Sequence, residues 1–167
     1  MIIVQTNKIP DKILECPLDQ PIEIFKVCQE LQLLSEKENG IGISAVQAGI
    51  PWKLFLVKGD GSCPIVPNGQ YGYFVNCKYE PVDEVKIVSL EGCLSLKTSD
   101  NRIRTFQIER HQKIRLSGFQ VRIDKKIHFD PINELLDITE QGAVFQHETD
   151  HHFGILISDI GKEIFLW

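Results

Sequence analysis

One segment constrains the fold most strongly: an HExxH pattern at His147-Glu148-Thr149-Asp150-His151, inside a predicted helix over residues 139–153. Two histidines four residues apart lie on one face of consecutive helical turns, so both imidazoles can reach a single metal ion. Glu148 would then stand beside an open coordination position, where a bound water needs a base. Because the same pattern also occurs on solvated helix faces, it favours a catalytic metal site without establishing one.

A catalytic metal usually has three protein ligands and a water, so a third ligand must come from elsewhere in the chain. Cys93, in the segment Glu91-Gly92-Cys93-Leu94-Ser95, ends a predicted strand at a point where glycine permits a tight turn. The chain has five cysteines, an odd number, so at least one is free, metal-bound or reactive. A free cysteine is most often a buried apolar residue. Spacing alone leaves five candidates open: Cys93, Cys16, Cys28, Cys63 and Cys77.

The remaining pattern predicts an α+β fold in which the late helix packs on a sheet. Apolar residues at three- and four-residue steps predict an amphipathic helix over residues 22–34, carried by Ile22, Phe25, Cys28, Leu31 and Leu34. Short apolar runs predict strands at 52–57, 71–76, 85–90, 103–108, 113–116, 120–123 and 135–138, and a short final strand within 161–167. Residues 40–50 and 59–70 are predicted loops, and Gly154 is the predicted stop of the late helix. The length of 167 residues predicts one domain over residues 1–167.

Composition excludes several classes of protein. A formal charge of -5 argues against DNA or RNA as a partner, because nucleic-acid binders usually carry a basic surplus. No apolar run approaches the length of a membrane span, and the apolar start of the chain is too short for a signal peptide. We therefore expect a protein of the reducing cytosol.

A third segment, Gly40-Ile41-Gly42-Ile43-Ser44-Ala45-Val46-Gln47, completes a set. Taken alone, its glycines could simply turn the chain, and a lone glutamine is usually surface. Together with EGCLS at residues 91–95 and QHExDH at residues 146–151, it resembles the three motifs of the peptide deformylases, in their order and at similar intervals. The resemblance implies the deformylase fold, with antiparallel or mixed sheets around a central HExxH helix.

The resemblance also implies a reaction: hydrolysis of the formyl group from the N-terminal formyl-methionine of nascent polypeptides. Cys93, His147 and His151 would hold one divalent metal, usually Fe²⁺ in this family, with Zn²⁺, Ni²⁺ or Co²⁺ able to replace it. Metal-bound hydroxide would attack the formyl carbon, with Glu148 as general base and then acid. The side chain of Gln47 and the backbone N–H of Leu94 would form the oxyanion hole.

For substrate binding, the resemblance points to Ile41, Ala143 and Val144 as the lining of a methionine pocket and to the backbone of Gly42 as a partner of the peptide. Ordinary core packing is the alternative explanation for the three side chains. Glu91 and Arg110 would form a pair that steadies the Cys93 turn, an effect that is appreciable only if the pair is buried.

Several positions depart from the family pattern. Ser89 and Glu140 stand where apolar pocket residues are usual, which predicts a pocket that is either more polar or differently built. The arginine that contacts substrate could be Arg102 or Arg104, and His152, beside a ligand, is predicted to be surface. Only 16 residues follow His151, so we expect a compact form without the long C-terminal helix associated with ribosome docking. Any ribosome contact would then be transient, and the source could be a bacterium or a phage acting in its host's cytosol.

Three alternatives remain on chemical grounds. A small HExxH peptidase would need a downstream ligand and a longer cleft. A silent binding module would be expected to lack Glu148 or Gln47, and both are present. A structural zinc domain would need a fourth cysteine or histidine, and the chain has no CxxC pair. The deformylase interpretation is favoured over all three.

Overall fold

The structure is a computed structural model that describes residues 9–165. Within that range the chain forms three α-helices and eight strands: α1 (Pro21–Glu38), β1 (Gly42–Ser44), β2 (Leu54–Lys58), β3 (Tyr71–Pro81), β4 (Lys86–Lys97), β5 (Ile103–His111), β6 (Lys113–Ile123), β7 (Ile127–Asp137), α2 (Gly142–His151), α3 (Ile157–Ile160) and β8 (Lys162–Ile164). Short 3₁₀ helices at Ala45–Ala48 and Ile138–Glu140 complete the described elements.

The strands form two sheets, one with the order β1-β2-β3-β6-β7 and one with the order β4-β5-β8. Every pairing between these strands is antiparallel. Helix α2 packs against β1, β2, β3 and β6 of the larger sheet and against β5 of the smaller one. The α+β prediction with a central HExxH helix is therefore confirmed, in its antiparallel form.

Helix α2 is held in the centre by aromatic packing. Eight of its ten residues are buried. The ring of Phe145 meets Phe74 edge-on at 5.1 Å between centroids and Phe55 at 6.0 Å, an arrangement that adds to the gain from burial alone. The helix begins at Gly142, after the 3₁₀ turn, so it is shorter than the predicted 139–153. Gly154 has a φ of +73°, as expected of the predicted stop.

The prediction for α1 was correct in type and correct for Cys28, Leu31 and Leu34, which are buried, but it was wrong for Ile22. Ile22 is 67% exposed, whereas Ile24 is fully buried with Cys28, Leu31 and Leu34. At about 100° per residue, Ile24 lies about 40° from Cys28 around the helix, while Ile22 lies about 120° away. The helix also continues past Leu34 to Glu38 and ends at Asn39 in the left-handed conformation.

Most predicted strands lie inside longer ones, and residues 59–70 contain no strand. The runs at 113–116 and 120–123 are both parts of β6, and the predicted loop at 40–50 contains β1 and a 3₁₀ turn. The final strand is β8, and residues 166–167 lie outside the described range.

Among residues 9–165, no helix combines the length and apolarity that crossing a bilayer requires. The single-domain organisation of residues 1–167 stays a prediction.

A bulge explains why β6 was predicted in two pieces. Val75 pairs with Phe119 and Lys78 pairs with Ser117, so two residues of β3 face Gly118 alone. Gly118 has a φ of +145°, and a Cβ added there would lie 2.6 Å from the Cys77 Sγ and 2.8 Å from its Cα.

We expect Gly118→Ala to lower the free energy of unfolding by about 1–3 kcal/mol, because the methyl group must displace the backbone of β3. Urea unfolding followed by circular dichroism measures the change. Gly69→Ala is the control, since Gly69 also has a positive φ but an added Cβ meets nothing within 4 Å. Equal losses in both variants would contradict the steric explanation.

Candidate active site

A buried cysteine and two buried histidines from a distant part of the sequence meet at one point. Cys93 on β4 and His147 and His151 on α2 each offer one ligand atom, and these three atoms lie within 4.8 Å of one another. The Sγ of Cys93 is 3.6 Å from the Nε2 of His151. A thiolate with two imidazoles suits zinc and iron, and three protein ligands leave a position open for chemistry. The donor set therefore fits a divalent transition metal.

The outer nitrogens of both imidazoles are held by acceptors. The Nδ1 of His147 donates to a carboxylate oxygen of Glu91 at 2.9 Å, and the Nδ1 of His151 donates to the carbonyl oxygen of Ile155 at 3.2 Å. Because Nδ1 carries the proton in each ring, Nε2 is left as the ligand atom. The two rings are nearly perpendicular, with centroids 4.8 Å apart.

The two histidines differ in electrostatics. Burial disfavours protonation of His147, but the Cys93 sulfur and the Glu91 carboxylate outweigh burial and raise its pKa to about 10. Burial, followed by the neighbouring His147, lowers the pKa of His151 well below its usual value. The surroundings of His147 thus favour a positive charge on its ring. A bound cation would supply that charge in place of the proton.

A buried charge network supports Cys93 and His147 from behind. Arg110, 2% exposed, donates two hydrogen bonds of 2.8 Å to Glu91 and a third of 2.6 Å to Asp150 on α2. Burial raises the pKa of Glu91, but the bonds from Arg110 and His147 outweigh it and lower the pKa to about 2. The predicted Glu91–Arg110 pair is therefore present and buried, and it extends to Asp150.

The side chain of Gln47 is oriented by its own turn. Its Oε1 accepts the backbone N–H of Ser44 at 2.8 Å, so its Nε2 must face the other way. That amide nitrogen lies 3.3 Å from the Cys93 Sγ and 3.2 Å from the Ser95 Oγ. Sequence reasoning missed Ser95 as a partner, although it lies within the EGCLS segment. Gln47 thus presents a fixed donor beside the ligand set.

Glu148 is the one carboxylate of the site without a hydrogen-bond donor. It is 3% exposed, and its Oε2 has no partner among the described residues. Burial raises its pKa to about 7. Its Oε1 lies against Gly42, where an added Cβ would come within 2.5 Å. Only glycine leaves room for the carboxylate there, so Gly42 and Glu148 fit each other.

These groups open onto a cleft of about 430 Å³, a size typical of small-ligand sites. The cleft is lined by nearly all the residues proposed from the sequence: Cys93, His147, Glu148, Gln47, Leu94, Ile41, Gly42, Ala143 and Val144. Leu94 follows Cys93 in a stretch of β4 whose register with β5 is broken, since Gly92 pairs with Thr105 and the next paired residue is Lys97. Ile41, at 56% exposed, lies at the rim and not in the core.

Other sequence-based candidates lie elsewhere. Ser89 lines the cleft, but Glu140 does not, and its carboxylate accepts the backbone N–H of Asp137 at 3.0 Å. Neither arginine candidate lines the cleft: Arg102 pairs with Asp100, and Arg104 forms two hydrogen bonds to Glu163. Both guanidinium groups are engaged in these pairs.

The surface prediction for His152 was wrong. His152 is 2% exposed, and its ring centroid lies 5.4 Å from that of Phe55. The last turn of α2 is enclosed by the larger sheet, so the residue after His151 points into the core. Burial lowers the pKa of His152 to about 4.

Comparison with known proteins gives a consistent result. The polypeptide deformylase family model matches residues 6–164. The chain is 28% identical to a peptide deformylase of Thermodesulfovibrio yellowstonii, over 99% of this chain and 95% of that protein. It is 30% identical to one of Maricaulis maris, over 95% of this chain and 85% of that protein. The match to peptide deformylase 1 of Corynebacterium efficiens, at 28% identity, covers 72% of this chain and 62% of that protein.

Solved structures show the same fold. A peptide deformylase of Plasmodium falciparum superposes with a TM-score of 0.76 at 21% identity, over 96% of this chain and 86% of that one. A structure described as a probable peptide deformylase from Synechococcus phage S-SSM7 superposes with a TM-score of 0.74 at 23% identity, over 96% of this chain and 99% of that one.

If the triad binds a metal, Cys93→Ser should weaken Zn²⁺ binding by at least about 100-fold, because a neutral hydroxyl replaces a thiolate. Mutating a residue that only hydrogen-bonds to a metal ligand already lowers metal affinity by about 10–100-fold, and Cys93 would be a ligand itself. Competition with a chromogenic chelator measures the affinity, and loss of the thiolate-to-cobalt absorption band in the Co²⁺ form reports the ligand directly. Cys28→Ser, a change at a buried cysteine of α1, is the control. A Cys93→Ser protein that kept the band would exclude Cys93 as a ligand.

Proposed function

The chain belongs to the polypeptide deformylase family and is an enzyme of that kind, and we propose that its cleft removes the formyl group from the N-terminal formyl-methionine of nascent polypeptides. The observation that carries the proposal is the meeting of a Cys-His-His triad with the unpartnered carboxylate of Glu148 at the wall of one cleft. Metal dependence is a property of the family, and in this chain the triad is the group that would bind the metal.

We assign the metal to Cys93, His147 and His151, with Fe²⁺ as the physiological ion and Zn²⁺, Ni²⁺ or Co²⁺ as replacements. When bound, such an ion lowers the pKa of a water molecule and polarises the formyl oxygen. The outer hydrogen bonds to Glu91 and Ile155 hold both rings in the ligating tautomer before any ion arrives.

Glu148 serves as general base and then as general acid. Its carboxylate lies in the cleft wall, and its Oε2 accepts no hydrogen bond from the described residues, so the group can take a proton from the attacking water. The same carboxylate can return that proton to the departing amine. Gly42 leaves room for the carboxylate, which any larger residue there would displace.

Attack on the formyl carbon places negative charge on the formyl oxygen. The Nε2 of Gln47 and the backbone N–H of Leu94 are the donors we assign to it. Each preorganised donor of this kind is worth about 3–4 kcal/mol in the transition state. Ser44 supports this role of Gln47, because its N–H fixes the amide so that the donor end faces Cys93.

The substrate's methionine would occupy the cleft beside Ile41, Ala143 and Val144, with the peptide backbone against Gly42. A formyl carbon bears only hydrogen, so a narrow site admits it and excludes an acetyl group. Because formylated chains arise where translation occurs, we place the enzyme in the cytosol of a bacterium or of a phage-infected host. Contact with the ribosome stays a prediction.

Glu148→Ala should reduce turnover of a formyl-Met peptide by about 10²- to 10⁴-fold, the usual contribution of a general base. Metal content should not change, because Glu148 is not a ligand. Turnover is measured by detecting the newly exposed amine, and metal content by elemental analysis of protein prepared anaerobically. Glu36→Ala, at an exposed position on α1, is the control. Near-normal turnover in Glu148→Ala would remove the proposed base from the mechanism.

Ser89→Val should raise kcat/KM for formyl-Met peptides several-fold relative to formyl-Ser peptides, because a pocket contact of this size is worth about 1–3 kcal/mol. Glu140→Leu should leave that ratio unchanged, since Glu140 does not line the cleft. Kinetics on matched peptides differing only in the first residue provide the test. A change in the ratio with Glu140→Leu instead would place the pocket elsewhere.

A further inference from the structure

A second cavity, of about 570 Å³, is lined by members of the charge network, Arg110 and Asp150, together with Tyr79 and His111. The hydroxyl of Tyr79 donates to the Oδ1 of Asp150 at 2.9 Å. Nothing in the sequence distinguished Tyr79, which lies on β3 among ordinary strand residues. The proposed catalytic chemistry does not use it.

We propose that Tyr79 is a positioning residue for the metal centre, acting through Asp150 and Arg110 on Glu91 and His147. The inference rests on the proposed metal-dependent deformylation. It concerns the two side chains that hold Asp150 of α2, Tyr79 and Arg110, and it adds no group that touches substrate or metal.

The hydrogen bonds form a continuous chain from Tyr79 to a ligand. Oδ1 of Asp150 accepts from Tyr79, and Oδ2 accepts from the Nη1 of Arg110 at 2.6 Å. The other two nitrogens of that guanidinium, Nε and Nη2, each donate to one oxygen of Glu91. One of those oxygens also accepts the Nδ1 proton of His147. A change in the hydrogen bonds that Asp150 accepts is therefore transmitted to the His147 ring, which would bind the metal.

The same contacts place Asp150 between the two sheets. Tyr79 belongs to β3 of the five-stranded sheet, and Arg110 belongs to β5 of the three-stranded sheet. Asp150 lies on α2 between His147 and His151, so its two donors fix that turn of the helix against both sheets. Cys93 is part of the smaller sheet, so the distance from its sulfur to the imidazoles depends on this attachment.

Loss of the Tyr79 hydroxyl leaves the buried Asp150 carboxylate with Arg110 as its remaining side-chain donor among residues 9–165. A carboxylate that lacks a donor in a low-dielectric site draws its remaining partner more strongly. Arg110 would then shift toward Asp150 and loosen its two bonds to Glu91. The ring of Tyr79, which lies 6.4 Å from that of His111 between centroids, packs the cavity wall whether or not the hydroxyl is present.

Tyr79→Phe tests the hydroxyl alone. We expect the dissociation constant for Zn²⁺, measured against a fluorescent chelator, to rise by about 3- to 30-fold, somewhat below the 10–100-fold typical of a direct partner of a ligand. In the loaded enzyme kcat should fall while KM changes little, because Tyr79 does not line the cleft.

Tyr73→Phe is the matched control. Tyr73 lies on the same strand and its hydroxyl donates to the Oε1 of Gln32 at 2.5 Å, so the variant loses one hydroxyl bond away from the network. We expect it to keep wild-type Zn²⁺ affinity. Equal Zn²⁺ affinities in Tyr79→Phe and Tyr73→Phe would overturn the proposal. A wild-type protein that binds Zn²⁺ but never releases formate would instead overturn the proposed function and leave this comparison valid.

The route through Asp150 is tested by combining variants. Asp150→Asn should weaken Zn²⁺ binding, and adding Tyr79→Phe should then cause less than a twofold further change. An undiminished effect of Tyr79→Phe in the Asp150→Asn background would show that the hydroxyl does not act through Asp150. If Asp150→Asn does not fold, the comparison of Tyr79→Phe with Tyr73→Phe decides the proposal.

Discussion

The geometry of the site depends on the buried guanidinium of Arg110. Its planar donors satisfy Glu91 on β4 and Asp150 on α2 at the same time. Cys93 follows Glu91 by two residues, and His147 and His151 flank Asp150 on its helix. One side chain therefore sets how the sulfur lies relative to the imidazoles. Removing one partner from such a buried ion pair typically costs about 3–5 kcal/mol, because the other charge is left without compensation.

Helix α2 carries two buried carboxylates that differ in hydrogen bonding. Asp150 accepts from Arg110 and Tyr79, whereas Glu148, two residues earlier, has a buried oxygen without a partner. An unpaired buried polar group is unfavourable for folding, so its presence at a cleft wall points to chemistry. Packing of Phe145 against the aromatic core, together with the Arg110 network, holds α2 in place despite that cost.

The local part of this arrangement could be predicted from the sequence. HExxH specified which face of a helix His147 and His151 share, and the structure places them there. Cys93 could not be selected from five cysteines by spacing, because its position depends on β4 losing register with β5 just after Gly92. That break is a long-range property of two strands. Only the resemblance to a family singled out Cys93 before the structure did.

The errors and the omission share one physical cause. Ile22 was placed by helical spacing, His152 by the ligand beside it and Glu140 by the family pattern, and none of these takes account of packing or of a backbone turn. His152 packs on Phe55 because the larger sheet encloses the end of α2, and Glu140 turns back to the N–H of Asp137. Tyr79 was overlooked for the same reason, since its partner Asp150 is 71 residues away. Periodicity shows which side chains share a face, but the packing of the two sheets around α2 decides what that face meets.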